Sequence, residues 1–307
     1  MCAVCYMRKF FPSFAALTLL TAAALHAQQI SVGPAGTGIL DFGTADSVTN
    51  ATSGWRTVSV AGVDTDATDA QALAAAVTNL AASAINALLQ SSSTISPAPA
   101  QYATARYNRA NLNIQTRPSG NECTLLMATL RNDTSGPLNA VLVTYDYGAI
   151  IANDGSIPGE EIPGYLTFFS VTGEANSWIL IPQLSVNGNT PIDALNAVLV
   201  FPAPVPAGAD FYILWADDNG SGGGDTASTR EMAYTIDNLS VVPAVSTRLT
   251  LTPNLDNTIT ISWNPAGGTL QESTTLQSNS WTDSPNQANG TPRAIPASPK
   301  FYRVLLP

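Results

Sequence analysis

The stretch "WADDNGSGGGDTAS", residues 215–228, gathers Asp217, Asp218, Asn219, Ser221 and Asp225 around four glycines. Oxygen donors in this density suit a hard cation such as calcium. Asp217, Asn219 and Ser221 fall at positions 1, 3 and 5 of an EF-hand-type loop, with Gly222 at 6 and Asp225 at 9. Position 12 is Ser228, where a bidentate glutamate belongs, and Glu231 comes three residues late. The helix–loop–helix reading therefore fails. A looser calcium cage of Asp217, Asp218 and Asp225 stays open. Beside it stands a plainer reading, a Gly-rich hairpin loop between strands 210–216 and 233–242 with its acids in water.

Asp237 is a second carboxylate of interest. In "AYTIDNLSV" the apolar residues Tyr234 and Ile236 alternate, then slip by one to Leu239 and Val241. A β-bulge at Asp237–Asn238 explains the slip, and so does a ligand-bearing carboxylate aimed inward. If the flanking strands pair as a hairpin, Asp237 lies about 17 Å from Asp217 at the strand rise, too far to share a metal. Its partners must then come from elsewhere, and "GILDFGTAD" offers Asp41 and Asp46. Trp178, Trp215 and Tyr147 could stack on sugar rings, or fill the core as most aromatics do.

The remaining chemistry is set by what export removes. Arg8, Lys9 and the apolar run "FFPSFAALTLLTAAAL", with cleavage candidates after Ala27 and after Ala24, read as a secretory signal, taken here as 1–27. The run, about 16 residues, is short for a membrane span. The one histidine, His26, leaves with the signal. Without imidazole, Ser–His–Asp and Cys–His catalysis and H-E-x-x-H zinc sites are excluded. Paired Asp/Glu chemistry on glycosides survives, as does oxygen-ligated cation binding. Glu160 and Glu161 in "SIPGEEIPG" are the only adjacent glutamates and read as solvated loop acids. Loss of Arg8 and Lys9 leaves 10 basic residues against 22 acidic ones, a net charge of −12. Such a surface repels phosphate backbones, so nucleic acid is not an expected partner. Cys123 remains alone, without a disulfide partner, in the strand-like "ECTLLMATL".

The elements that must position these residues are mostly strands. "WRTVSVAGV" (55–63), "TLLMATLRN" (124–132), "NAVLVTYDYGAII" (139–151), "GYLTFFSV" (164–171), "SWILIPQLS" (177–185), "LNAVLVFP" (195–202), "DFYILWA" (210–216) and "AYTIDNLSVV" (233–242) are separated by turn residues. This spacing predicts an antiparallel, jelly-roll-like β-sandwich over 28–242. One helix is predicted over about 68–91, where apolar residues recur at helical spacing in an alanine-rich stretch. Residues 91–105 read as a loop. After "VVPAVSTR" a small Ig-like or fibronectin-like β-module is expected over 243–307, with Trp263 and Trp281 in its core.

"YTIDNLSV" resembles the last strand of galactose-binding-like and carbohydrate-binding-module jelly rolls. That resemblance implies a structural calcium beside the N-terminal strand, with Asp237 at the matching position and Asp41 as its partner. "TRPSGNECTLLMATLRNDTSG", "EEIPGYLTFFSVTGEANSWILIPQLS" and "LWADDNGS" resemble an uncharacterised family of exported modular proteins of Verrucomicrobia-like bacteria. The closing "ITISW…LQESTTL…SWT…KFYRV" is similar to a small β-module at the ends of such proteins. The resemblance implies a secreted or envelope location: periplasm, outer surface or extracellular space.

The leading expectation is a non-catalytic exported protein that binds a polysaccharide or another cell-envelope component. A structural or adhesion matrix component is the first alternative. An Asp/Glu-dependent glycoside hydrolase or lyase is the second. Exposed carboxyls about 5–10 Å apart in an open cleft beside aromatics favour the enzyme. A row of exposed aromatics without them favours binding. Neither feature favours the structural reading.

Overall fold

The computed structural model describes residues 29–43, 49–51, 53–61, 70–92, 102–118, 122–150, 162, 164–188, 190–218, 233–244, 248–264, 268–277 and 279–305. The chain is mainly β, as predicted, with a single helix among the described residues.

The N-terminal part runs through β1 (Ile30–Val32), β2 (Trp55–Ala61), helix α1 (Ala70–Thr78), β3 (Gln90–Ser91), β4 (Tyr102–Asn108), β5 (Asn113–Arg117) and β6 (Glu122–Asn132). It continues with β7 (Leu138–Ile150), β8 (Gly164–Ser170), the short β9 (Ile179–Leu180) and β10 (Val186–Asn187), then β11 (Ile192–Val205), β12 (Asp210–Asp218) and β13 (Ala233–Pro243). A seven-stranded sheet has the order β1-β6-β12-β8-β10, with β2 on β6 and β9 on β8; a six-stranded sheet has the order β11-β7-β13-β5-β4-β3. From β5 onward each long strand lies in the sheet opposite its predecessor. This alternating wrap makes the pair of sheets a jelly roll.

The same wrap corrects one expectation. β12 and β13 do not pair as a hairpin; they sit in opposite sheets. β12 is instead laddered between β6 and β8, and β13 between β7 and β5.

Two cores result. Between the sheets lie Trp55, Tyr145, Tyr147, Tyr165, Phe211, Trp215 and Tyr234 with many aliphatic residues. On the outer face of the seven-stranded sheet, Cys123, Leu125, Met127, Leu214 and Ala216 pack under Leu73, Val77, Ile85 and Trp178. β6 and β12 are thus covered on both faces, which explains their continuous apolar runs. Along one edge, threonines tie β4 to the other sheet. Thr57 Oγ1 accepts from Ala105 N at 2.9 Å and donates to Leu125 O at 2.7 Å, and Thr124 Oγ1 donates to Ala103 O at 3.1 Å.

The helix is shorter than its alanine period suggests. It ends at Thr78, and a 3₁₀ turn follows at Ala82–Ala84. Beyond that turn strand pairing wins. Ala87 exchanges backbone hydrogen bonds with Thr57 at 2.9 and 3.1 Å, Leu89 enters the inter-sheet core, and β3 runs parallel to β4. The loop expected over 91–105 likewise gives way to β4 at Tyr102, and only Ile179–Leu180 of the strand expected over 177–185 is extended in a ladder. Tertiary pairing overrides local propensity in each case.

After β13 come β14 (Arg248–Pro253), β15 (Thr258–Asn264), β16 (Thr269–Ser273), β17 (Thr282–Asp283), β18 (Thr291–Ala294) and β19 (Phe301–Leu305). They form two three-stranded sheets, β14-β15-β18 and β17-β16-β19, the two-sheet arrangement expected of a small Ig-like unit. Its buried hydrophobic core is Ile261, Trp263 and Leu270, with Leu249, Ile259, Tyr302 and Val304 packed around them. No helix among the described residues is long and apolar enough to cross a membrane.

Candidate functional site

The three rings that could stack on a sugar lie in the cores. Trp215 is fully buried, stacked on Trp55 at 5.9 Å and edge-on to Tyr145 at 5.7 Å. Tyr147 forms a buried trio with Tyr165 and Tyr234, centroids 5.8–5.9 Å apart, and its hydroxyl donates to Gly188 O. Trp178 packs on Tyr212, and its Nε1 donates to Leu80 O at 2.8 Å, capping a carbonyl just past the helix end. None offers a ring face to a ligand in this conformation. Their sequence settings already lean this way, since Tyr147 shares a strand face with Val141, Val143 and Tyr145.

The expected loop acids divide. Asp217 and Asp218 are not in a loop: β12 extends through both, opposite Thr124 and Cys123. Both are buried, and alternation sends Asp217 toward the inter-sheet core and Asp218 toward the outer one. Burial, followed by the charges of Asp218 and Asp217, pushes the Cys123 thiol well up, so this buried sulfur is a poor nucleophile. Burial and the charge of Asp217 likewise raise the Tyr165 phenol. Asp225, Asp46, Glu160 and Glu161 lie outside the described residues.

Asp237 and Asp41 do come together. The slip in the β13 alternation is a bulge between Asp237 and Ser240, opposite Asp146 and Thr144 of β7. Leu40 N donates to Leu239 O at 2.9 Å, which lays the N-terminal segment beside this bulge. Burial raises the Asp237 carboxyl above its ordinary range; the Asn238 amide opposes the shift, and the charges of Asp146 and Asp41 add to it.

Sequence reading missed Asp146. It stands between two irregularities, the bulge of β13 on one side and a register shift of β11 at Ile192/Leu195 on the other. One carboxylate oxygen accepts Ala194 N at 2.8 Å and the other accepts Asn238 Nδ2 at 2.7 Å. Ala194 (φ +56°) and Asn238 (φ +51°) are both in the left-handed region, as is nearby Phe42 (φ +47°). Left-handed backbone is unfavourable for non-glycine residues, and Asp146 bonds to two of the three that adopt it here. The polar–aromatic pattern "VTYDYG" was the available signal: Asp146 is the acid on the outward face of an otherwise apolar strand.

Among the described residues no three or more His, Cys, Asp or Glu are placed to hold a metal ion. Calcium takes about six to eight oxygens, and here Asp146 already accepts two hydrogen bonds while Asp41 and Asp237 each accept a neighbouring amide. Asp41 also borders a recess of about 170 Å³ with Ile30, Ile39, Leu40, Phe42, Ser53 and Trp55. That is below the range of about 300–1,000 Å³ typical of small-molecule sites. Its aromatic members, Phe42 and Trp55, are buried.

No protein-family model and no curated protein matches the chain. Its function has to follow from the geometry alone.

Proposed function

We propose that this is a non-catalytic, exported or envelope-located structural or adhesion protein, a rigid jelly-roll body that holds to a polysaccharide or another envelope component through its surface. The observation that supports the structural, non-catalytic part of this reading is the fate of the rings. Every Trp, Tyr and Phe beyond residue 28 falls among the described residues, and those of the jelly roll are buried apart from half-buried Tyr102 and Tyr212. Tyr102 lies under Arg106, 4.3 Å from its guanidinium, and Tyr212 packs on Trp178. Among the described residues of the jelly roll, neither a stacking row nor an open acid cleft lined by aromatics is left. The lack of imidazole after signal removal excludes histidine-dependent catalysis and leaves carboxylate chemistry as the alternative.

Two measurements test it. A glycan array and polysaccharide pull-down with the mature chain should give binding without release of reducing ends. Release of reducing ends that Asp237→Asn abolishes would establish the Asp/Glu hydrolase reading, which the raised Asp237 carboxyl favours. Calcium belongs to this proposal only at Asp237 and Asp41. A Tm that rises with calcium, falls with chelator and loses that response in Asp237→Asn would support it. The same Tm with calcium and with chelator would remove calcium.

A further inference from the structure

The rings that the jelly roll hides reappear at the surface in one place. In the C-terminal sheet β17-β16-β19, Gln271 lies opposite both Asp283 and Arg303. Opposed residues and those two positions along share a sheet face, so Trp281, Asp283, Gln271, Phe301 and Arg303 belong to one side. The other side carries Leu270, Tyr302 and Val304 into the small core. Arg303 places its guanidinium 4.5 Å from the Trp281 ring centroid, which fixes the indole on the outer face. Phe301 is 41% exposed, and Trp281 is half-buried. Sequence reading expected Trp281 in the core; its neighbour in that expectation, Trp263, is there, but Trp281 is not.

A polar row runs beside these rings. Gln271 Nε2 donates to Asp283 Oδ1 at 2.9 Å, and Arg303 Nε donates to Gln271 Oε1 at 2.9 Å. The two bonds fix the orientation of the amide and hold carboxylate, amide and guanidinium in line. The charges of Asp283 and Arg303 cancel, on a chain whose mature net charge is −12.

We propose that this outer face binds a neutral polysaccharide, with pyranose rings laid against Trp281 and Phe301 and their hydroxyls meeting Gln271, Asp283 and Arg303. The chemistry matches part by part. The C–H face of a pyranose is apolar and packs on an aromatic ring, while its equatorial hydroxyls both donate and accept. A carboxylate that accepts and a guanidinium that donates serve both roles. A locally balanced pair gives no net attraction to an ionic polymer, which favours a neutral one. The inference rests on the surface-binding reading above and names the face that does the binding.

The test uses the full mature chain. It is incubated with insoluble cellulose, chitin and mannan, and with the acidic polymers alginate and pectate, at low and high salt. Retention on at least one neutral polymer, little changed by salt, is expected. Trp281→Ala and Phe301→Ala should each weaken it about tenfold or more, as removal of an anchoring ring does. Trp281→Tyr should keep most of it. Thermal melts accompany each variant, and Phe301→Ala decides the matter if Trp281→Ala fails to fold, because Phe301 packs least. Undiminished binding by Phe301→Ala and a folded Trp281→Ala overturns this site while leaving the binding reading intact. Retention only on acidic polymers, removed by salt, overturns the neutral ligand. No retention on any polymer overturns this site and the polysaccharide reading together.

Discussion

Trp215, in the jelly roll, is sealed between Trp55 and Tyr145, whereas Trp281, in the C-terminal sheets, lies half open beneath Arg303. The two regions differ in how much core they can build. Two large sheets plus a helix enclose two apolar layers; among the described residues the C-terminal sheets bury three hydrophobic side chains. A small unit has more surface for its volume, so some of its large side chains must remain outside. Aromatic content alone therefore does not locate a binding surface. The region with most of the rings has almost none to offer.

The largest expected effect follows from that contrast. Trp215→Ala should cost about 3–5 kcal/mol in denaturant unfolding, through lost burial and the cavity left behind. Trp281→Ala should cost less than about 1 kcal/mol, as most surface changes do. Similar losses from both would mean that Trp281 is packed as tightly as Trp215.

Trp263→Ala comes next. It empties a large part of a core that has few other buried side chains, and a loss of about 3 kcal/mol is expected within that unit. Limited proteolysis should then cut beyond residue 244, while the melting of the jelly roll stays where it was. Parallel loss of both would show that the two cores depend on each other.

A smaller effect is expected at Trp178→Phe. The ring volume largely remains, but the bond from Nε1 to Leu80 O is lost, at about 1 kcal/mol. Hydrogen exchange should quicken in 70–92 more than in the sheets. Uniform quickening would mean that the indole is core packing alone.

These differences also mark what was legible beforehand. Alternation revealed most long strands, and the slip at Asp237–Asn238 revealed the bulge. Each depends on residues near in sequence. The helix end was not legible, because helical spacing in an alanine-rich run carries no mark of the ladder that Ala87 makes with Thr57. The separation of β12 from β13 was hidden for a similar reason, since the intervening segment suits a hairpin or a crossing between sheets. Alternation in "VTYDYG" places Asp146 on the outward face of its strand but says nothing of its role. Its role exists only once β11 and β13 flank it, and those strands come from about 50 and 90 residues further on. Trp281 was misplaced because a lone tryptophan in a short strand pattern does not say which face is in.

The smallest effect is the most specific. Burial, then Asp146 and Asp41, oppose ionisation of Asp237, although the Asn238 amide favours it. The folded chain therefore keeps the Asp237 proton to a higher pH than the unfolded chain does. Within that window the native state binds more protons, so this group makes stability fall as pH rises from the ordinary carboxylate range through the raised value. Asp237→Asn removes the titration and still presents an oxygen to Asn238 N. It should give a small rise in Tm at neutral pH and none at pH values below the ordinary carboxylate range. A fall in Tm at neutral pH would mean that the ionised carboxylate is held by something more than its neighbouring amide, and a cation at this bulge would then become the first thing to look for.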